Sequence, residues 1–133
     1  MNKAVFFDRD GVINELIERD GGLYSPRKFD EFKIISDVES VLKKLKLKGY
    51  LCIVVSNQPD ISRGLMRQKE LDLMTKFMLS KLSLDSVMYC KHDDPDNNGC
   101  RKPAPGLFYK AKKKWNIDLN SSFMIGDTWK DVE

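Results

Sequence analysis

The sequence predicts an α/β fold with a central parallel sheet, a Rossmann-like three-layer sandwich that forms one domain over residues 1–133. Short apolar stretches alternate with amphipathic helical segments, which is typical of right-handed βαβ units. The stretches are apolar throughout rather than alternating, as expected for strands that are covered on both faces. Three of them end in polar residues, which places a candidate site at one edge of the sheet.

The first half of the chain contains two predicted strands and one helix. Residues 4–7 form an apolar strand, whereas segment 14–35 shows no strong periodicity and is expected to be an irregular excursion. Asp37 can then cap a helix that Gly49 ends. One face of this helix carries the apolar residues Val38, Val41, Leu42 and Leu45. The second strand follows at 51–55.

The second half repeats the alternation. A helix is predicted over 68–82 from its apolar spacing, and a short strand over 86–89. After a polar loop, a helix over 106–115 and a strand over 122–125 complete the pattern. The lysines at 110 and 112–114 are expected to form the solvated face of that helix.

Composition excludes several functional classes. The net charge of +3 is too mild for a dedicated nucleic-acid binder. The longest apolar stretches have the length of strands, so no membrane span is expected. The early start of the first strand leaves no room for a signal peptide, and three cysteines argue against a disulfide framework. We therefore expect a cytoplasmic protein, and we expect it to be a monomer.

Asp8 and Asp10 carry the first indication of chemistry. They follow the first strand, and Gly11 permits a tight turn there. Like charges at this separation repel each other, so a cation is implied, and oxygen ligands favour Mg²⁺. Asp127, after the last predicted strand, can complete the magnesium ligands. On its own, an Asp-x-Asp-Gly pattern is also compatible with two residues that cap a turn.

Four motifs in order resemble those of the haloacid dehalogenase superfamily. They are Phe-Phe-Asp-Arg-Asp-Gly-Val-Ile-Asn at 6–14, Val-Val-Ser-Asn-Gln at 54–58, Arg-Lys-Pro at 101–103 and Ile-Gly-Asp-Thr-Trp-Lys-Asp at 125–131. The resemblance implies a magnesium-dependent phosphatase that works through an aspartyl-phosphate. The predicted elements fill the gaps between the motifs, so we expect no large cap domain.

The resemblance also implies a role for each matching residue. Asp8 would attack phosphorus, and Asp10 would protonate the leaving oxygen and later activate water. Ser56 and the backbone amide of Asn57 would hold the phosphoryl oxygens.

Three residues later in the chain complete the set that the resemblance implies. Lys102 would neutralise charge on the nucleophile and the phosphate. Asp127 and the Asp10 carbonyl would hold Mg²⁺ with Asp8, and Asp131 would support them.

Details of spacing resemble one branch of the superfamily, the heptose-1,7-bisphosphate and histidinol-phosphate phosphatases. The resemblance lies in residues 8–14, with Arg9 between the aspartates, and in Ser-Asn-Gln-Pro-Asp-Ile-Ser-Arg-Gly at 56–64. It implies a small phosphorylated sugar as substrate, bound in part by Arg101. Arg63 and Lys28 are weaker candidates for substrate binding, since either can be an ordinary surface charge.

A loop in this branch normally binds structural zinc, and here it departs from the pattern. Cys90, His92 and Cys100 match, but Asn98 stands where a further cysteine is usual. Three ligands can retain zinc with a nearby aspartate or water as the fourth, or the loop has lost its metal.

Other functions are also compatible with this sequence. Histidinol-phosphate phosphatase, nucleic-acid 3′-phosphatase, and mutase or phosphotransferase chemistry fit the same scaffold, and so does a non-catalytic binding protein. The chain ends at residue 133 inside the loop of the fourth motif. Family members usually continue with a helix and at least one strand. We therefore expect a fragment or, as the alternative, a naturally abbreviated protein, with its last strand at a bare edge of the sheet.

Overall fold

The computed structural model describes residues 1–90 and 106–126. The strands are β1 (Lys3–Phe7), β2 (Ile17–Arg19), β3 (Gly22–Tyr24), β4 (Tyr50–Asn57), β5 (Ser86–Cys90) and β6 (Phe123–Ile125). The helices are α1 (Val38–Leu47), α2 (Gln68–Lys81) and α3 (Gly106–Trp115). Single 3-10 turns occur at Phe29–Glu31 and Leu119–Ser121. Every strand and helix predicted from periodicity is present, within two residues at either end.

The main sheet has four parallel strands in the order β5-β4-β1-β6. Phe7 at the end of β1 pairs with Val54 on one side and with Ile125 on the other. Asn57 at the end of β4 pairs with Cys90 at the end of β5. The carboxyl ends of all four strands therefore lie along one edge of the sheet.

Successive residues of β1 point to opposite faces and build two separate cores. Val5 and Phe7 pack in a core with Leu42 of α1 and with Met74 and Met78 of α2. The second core contains Ala4 and Phe6 with residues of α3, namely Leu107 and Ala111. Helices cover both faces of the sheet, so the predicted three-layer sandwich is confirmed.

Helix α1 begins and ends where the sequence predicts, but its first turn differs in detail. Asp37 occupies the N-cap position, yet its side chain makes no capping hydrogen bond. Its backbone has helical angles rather than the extended ones that side-chain capping uses. The prediction of a side-chain cap is therefore wrong. At the other end, Gly49 has a φ of +89°, the left-handed conformation that favours glycine after a helix.

Segment 14–35 is more ordered than its weak periodicity suggests. Strands β2 and β3 form a short antiparallel hairpin, and a 3-10 turn follows it. The turn contacts α2 through edge-to-face ring pairs, in which Phe29 and Phe32 pack on Phe77. The described part of this insertion is a small hairpin and a turn, in agreement with the predicted absence of a large cap.

Strand β6 forms one border of the sheet within the described residues, as predicted. Phe123 and Ile125 are 59% and 40% exposed there. The side chains of the α3 lysines are exposed, which agrees with their predicted solvated face. None of the described helices combines the length and the apolar character that crossing a bilayer requires.

Candidate active site

Asp8 is the first residue after β1, at the carboxyl edge of the sheet. Its backbone N–H donates to the carbonyl of Ile125 at 2.9 Å, which ties the start of the loop to β6. Its Oδ1 accepts a 2.9 Å hydrogen bond from the backbone N–H of Arg9. The residue is half-buried. Asp8 therefore occupies the place that the sequence predicts for the nucleophile.

A tight turn follows Asp8 and requires glycine. Gly11 has a φ of +87°, and its N–H donates to the carbonyl of Asn14 at 2.8 Å. The N–H of Ile13 donates to the carbonyl of Arg9 at 2.8 Å. These bonds fold residues 9–14 into a compact loop above the end of β1, which confirms the role predicted for Gly11.

The Asp10 carboxylate accepts hydrogen bonds from three side chains. Its Oδ1 accepts from Arg9 at 2.9 Å through Nε and at 2.7 Å through Nη2, and from Asn14 Nδ2 at 3.0 Å. Its Oδ2 accepts a 2.8 Å bond from Nε2 of Gln58. The side chain is 13% exposed. Asp10 is thus held in place, with a small part of its surface open to solvent.

Arg9 is completely buried, which the sequence does not suggest for an arginine between two aspartates. Its guanidinium carbon lies 5.3 Å from the centre of the Phe32 ring and 5.9 Å from that of Tyr89. Burial alone would lower the pKa of Arg9, but the Asp10 carboxylate and the Tyr89 hydroxyl outweigh it and raise that pKa. The residue therefore stays charged inside the protein.

Ser56 and Asn57 end β4, the strand beside β1. Ser56 is 1% exposed, and its Oγ accepts a 2.9 Å hydrogen bond from Gln58 Nε2. Asn57 is half-buried. The backbone N–H of Gln58 donates to the carbonyl of Cys90 at 2.7 Å. The structure thus brings the end of β4 next to Asp10, with Gln58 bonded to both Asp10 and Ser56.

Several predicted site residues lie outside the described ranges, so their positions stay predictions. They are His92, Cys100, Arg101, Lys102, Asp127 and Asp131. Cys90 is described: it is buried at the end of β5 and is disulfide-bonded, so in this structure it offers no thiolate to a metal, contrary to the role predicted for it. Cys52 is the free thiol among the described cysteines. Within residues 1–90 and 106–126, no three His, Cys, Asp or Glu side chains form a cluster that could hold a metal ion.

A cleft of about 590 Å³ lies between the 14–35 insertion and the loop after β4. Its charged lining residues are Arg19, Arg27, Lys28, Arg67, Glu31 and Glu70. Cations outnumber acids in this lining. Lys28, one of the weaker candidates for substrate binding, belongs to the cleft, whereas Arg63 lies 3.5 Å from Asp60 in a local ion pair.

Three residues of the site were not assigned a role from the sequence: Arg9, Asn14 and Gln58. All three belong to the quoted motifs, and each donates to Asp10. Their spacing alone gave no reason to expect burial. A charged or amide residue beside the end of an apolar strand is the pattern that could have indicated them.

Comparisons with known proteins show the family of the chain. The family model described as polynucleotide kinase 3 phosphatase matches residues 3–130. The chain is 36% identical over 137 residues to D-glycero-beta-D-manno-heptose-1,7-bisphosphate 7-phosphatase of Helicobacter pylori, an alignment that covers 98% of the chain and 76% of the relative. The protein of the same name from Haemophilus ducreyi is 38% identical over 143 residues, covering 98% of the chain and 75% of the relative.

Solved structures confirm the fold. A D,D-heptose 1,7-bisphosphate phosphatase from B. bronchiseptica, complexed with magnesium and phosphate, superposes with a TM-score of 0.80 at 24% identity. The match covers 97% of this chain and 72% of that one. The chain therefore belongs to the polynucleotide kinase 3 phosphatase family, within the haloacid dehalogenase superfamily of phosphatases.

Proposed function

We propose that this phosphatase removes the 7-phosphate of D-glycero-D-manno-heptose 1,7-bisphosphate through an aspartyl-phosphate on Asp8. The observation that carries the proposal is the placement of Asp8 and Asp10 beside Ser56 at the carboxyl edge of adjacent parallel strands. The relatives named heptose bisphosphate 7-phosphatase support the choice of substrate, because they match nearly the whole chain.

The reaction has two steps, in which Asp8 carries the phosphoryl group and Asp10 first donates and then accepts a proton. A carboxylate oxygen of Asp8 attacks phosphorus, the bond from phosphorus to the sugar oxygen breaks, and Asp10 gives its proton to that oxygen. Water then attacks the phosphorus of the aspartyl-phosphate while Asp10 takes a proton from the water. Inorganic phosphate leaves, and the Asp8 carboxylate is restored.

The described oxygen donors at this edge fit Mg²⁺. The Asp8 carboxylate and the Asp10 carbonyl would bind it together with Asp127, and Asp131 would support that set. When bound, Mg²⁺ supplies positive charge beside the transferring phosphoryl group. The magnesium and phosphate of the B. bronchiseptica structure support this proposal by analogy. Lys102, Ser56 and the Asn57 amide would surround the same phosphoryl oxygens.

The basic cleft supports a substrate with a second phosphate. It lies against the loop that follows β4, because Asp60 in that loop accepts a 3.0 Å bond from Nε of Arg27 in the cleft. Asp60 is only two residues beyond Gln58, which spans at most about 7 Å of extended chain. Lys28 in this cleft is thus one candidate for binding the second phosphate, and Arg101 is the candidate from the resemblance.

A second candidate activity is the removal of 3′-phosphate from nucleic acid, which the description of the matching family model favours. Histidinol phosphate is the third substrate to test. The discriminating experiment measures phosphate release with Mg²⁺ from the heptose bisphosphate, histidinol phosphate and a 3′-phosphorylated oligonucleotide. We expect the highest kcat/KM for the bisphosphate. A higher value for the oligonucleotide would replace the proposed substrate.

We also propose that Cys90, His92 and Cys100 hold a zinc ion when the disulfide bond of Cys90 is reduced. The support is the resemblance of the loop alone, and the protein for the measurement is purified in the presence of a reducing agent because Cys90 is disulfide-bonded in the structure. Elemental analysis of purified protein should find about one zinc per chain, and Cys90→Ser should remove it. Zinc at the level of a buffer blank would show that the loop has lost its metal. Cytoplasmic location and a monomeric state stay predictions.

A further inference from the structure

The two carboxylate oxygens of Asp10 accept unequal numbers of hydrogen bonds. Oδ1 accepts three, two from Arg9 and one from Asn14, at 2.7 to 3.0 Å. Oδ2 accepts one, from Gln58. A carboxylate offers about four acceptor sites, two on each oxygen. Oδ1 is therefore saturated by the protein, whereas Oδ2 keeps acceptor capacity beyond its one bond.

Arg9 holds Oδ1 from inside the protein. Its side chain is fully buried, so water does not compete for its N–H groups. Nε and Nη2 both donate to Oδ1, and Nη1 donates to Met74 Sδ at 3.4 Å. A planar guanidinium with two directed donors on Oδ1 and a third on Met74 fixes the position of Oδ1 more closely than an ammonium group would. Rotation of Asp10 about χ1 or χ2 would break the pair.

Arg9 is itself fixed by the neighbouring elements. Its guanidinium lies against the ring of Tyr89 in β5, whose hydroxyl is 2.8 Å from Thr75 Oγ1 in α2. Thr75 Oγ1 donates to the carbonyl of Leu71 at 2.9 Å. The position of Asp10 is thus set by β5 and α2 as well as by its own loop.

Gln58 acts on the other oxygen. It is 1% exposed, and its Nε2 uses its two hydrogens on Asp10 Oδ2 and on Ser56 Oγ, at 2.8 and 2.9 Å. The same amide therefore fixes the distance between the group proposed to move the proton and a group proposed to hold the phosphoryl oxygens. An error in this distance is costly, because proton transfer needs donor and acceptor within hydrogen-bond reach.

We propose that Arg9 and Gln58 are positioning residues that direct Oδ2 of Asp10, rather than Oδ1, to the leaving oxygen of the substrate. This inference rests on the proposed function, in which Asp10 is the general acid. It predicts that loosening either residue weakens proton transfer to the leaving group more than it weakens attack by Asp8.

The test compares two substrates that need the general acid to different degrees. An aryl phosphate with an acidic phenol departs without help, whereas an alkyl phosphate such as the heptose bisphosphate needs the proton. The measured quantity is the ratio of kcat/KM for the alkyl substrate to kcat/KM for the aryl substrate. A smaller folded fraction lowers both values equally and leaves the ratio unchanged.

We expect Arg9→Lys and Gln58→Leu each to lower this ratio by about tenfold or more, within the range that a general acid contributes. The matched controls are Lys43→Gln and Gln68→Leu, exposed positions on α1 and α2, which should leave the ratio unchanged. If Arg9→Lys does not fold, Gln58→Leu decides the outcome. An unchanged ratio in the folded variants would overturn the proposal.

A second comparison separates this inference from the proposed function. Asp10→Asn should lower the ratio by itself, and Gln58→Leu should add little in that background, since residues that act through one group are not additive. If Asp10→Asn leaves the ratio unchanged, the general-acid role fails. If Asp10→Asn lowers the ratio but Gln58→Leu in the otherwise native chain leaves it unchanged, the general-acid role of Asp10 stands and only the positioning role of Gln58 fails.

Discussion

Arg27 and Asp60 form an ion pair, with Nε 3.0 Å from Oδ2, that joins the insertion between β1 and α1 to the loop after β4. The two side chains are 30% and 13% exposed. The pair links two parts of the chain that border the basic cleft, and no strand pairing connects them. Substituting these two residues therefore tests whether the ion pair stabilises the attachment of the insertion to the rest of the fold.

A double-mutant cycle of Arg27→Gln and Asp60→Asn should give a coupling of about 0.2 to 1 kcal/mol in the free energy of unfolding, the range of partly exposed pairs. Urea denaturation measures it. The matched control is the pair of Lys43 and Glu39, which lies at 3.9 Å with a lysine that is 68% exposed. A coupling energy between Arg27 and Asp60 no larger than that of the control pair would show that the contact does not anchor the insertion.

Glu31 should make the insertion sensitive to acid. Its Oε1 accepts bonds from Arg19 Nη2 and from the backbone N–H groups of Arg27 and Lys28. Burial alone would raise the pKa of Glu31, but these bonds and the charge of Arg19 lower it below its ordinary value of 4.5. A lowered pKa stabilises the fold above that value, and the stabilisation is lost as pH falls through the folded-state pKa.

Glu31→Gln should therefore cost about 1 to 2 kcal/mol at neutral pH, the size expected for lost charge-assisted hydrogen bonds. The difference from the native chain should shrink as pH falls below 4.5. Denaturant curves at several pH values measure it, with Glu18→Gln at an exposed position as the control. A difference that stays constant with pH would contradict the role of the Glu31 charge.

Leu42 and Val41 are neighbours on α1 with opposite environments. Leu42 is 0% exposed in the core shared by the sheet and α2, whereas Val41 is 44% exposed. Leu42→Ala should destabilise the fold by about 2 to 5 kcal/mol because it leaves a cavity. Val41→Ala should stay within about 0.5 kcal/mol of the native chain, as surface substitutions do. Similar losses for both in chemical denaturation would mean that α1 packs differently.

The order of strands and helices could be predicted because apolar runs and helical spacing are strong patterns in this chain. The same patterns located Asp8 and Asp10, since both follow directly after a buried strand. The hairpin of β2 and β3 was missed because its strands have three residues each and no apolar alternation. The 3-10 turn that follows the hairpin is held by contacts between residues distant in sequence, such as the packing of Phe29 on Phe77.

The contacts of the candidate site were less predictable than its location. The burial of Arg9 depends on Phe32, Met74 and Tyr89, which come from three different parts of the chain. No local pattern indicates such a contact. For the same reason, the bond of Gln58 to Asp10 could not be predicted, because it depends on the pairing of β1 with β4.

Asp8 should be indispensable for turnover and dispensable for folding. Asp8→Asn keeps the size of the side chain and its acceptor for the Arg9 N–H, so the unfolding midpoint should change little. Its phosphate release should fall by at least about a thousandfold, since a carboxamide is a poor nucleophile. Asp72→Asn, at an exposed position on α2, is the control and should retain full activity.

If Asp8 is the nucleophile, a covalent phosphate forms on its side chain and can be detected by mass spectrometry. The purified chain is mixed with heptose bisphosphate and Mg²⁺, quenched in acid within the first turnover, and digested for peptide mass mapping. We expect phosphate on the peptide that contains Asp8 and none in the Asp8→Asn variant. Phosphate on another residue, or near-native turnover by Asp8→Asn, would contradict it.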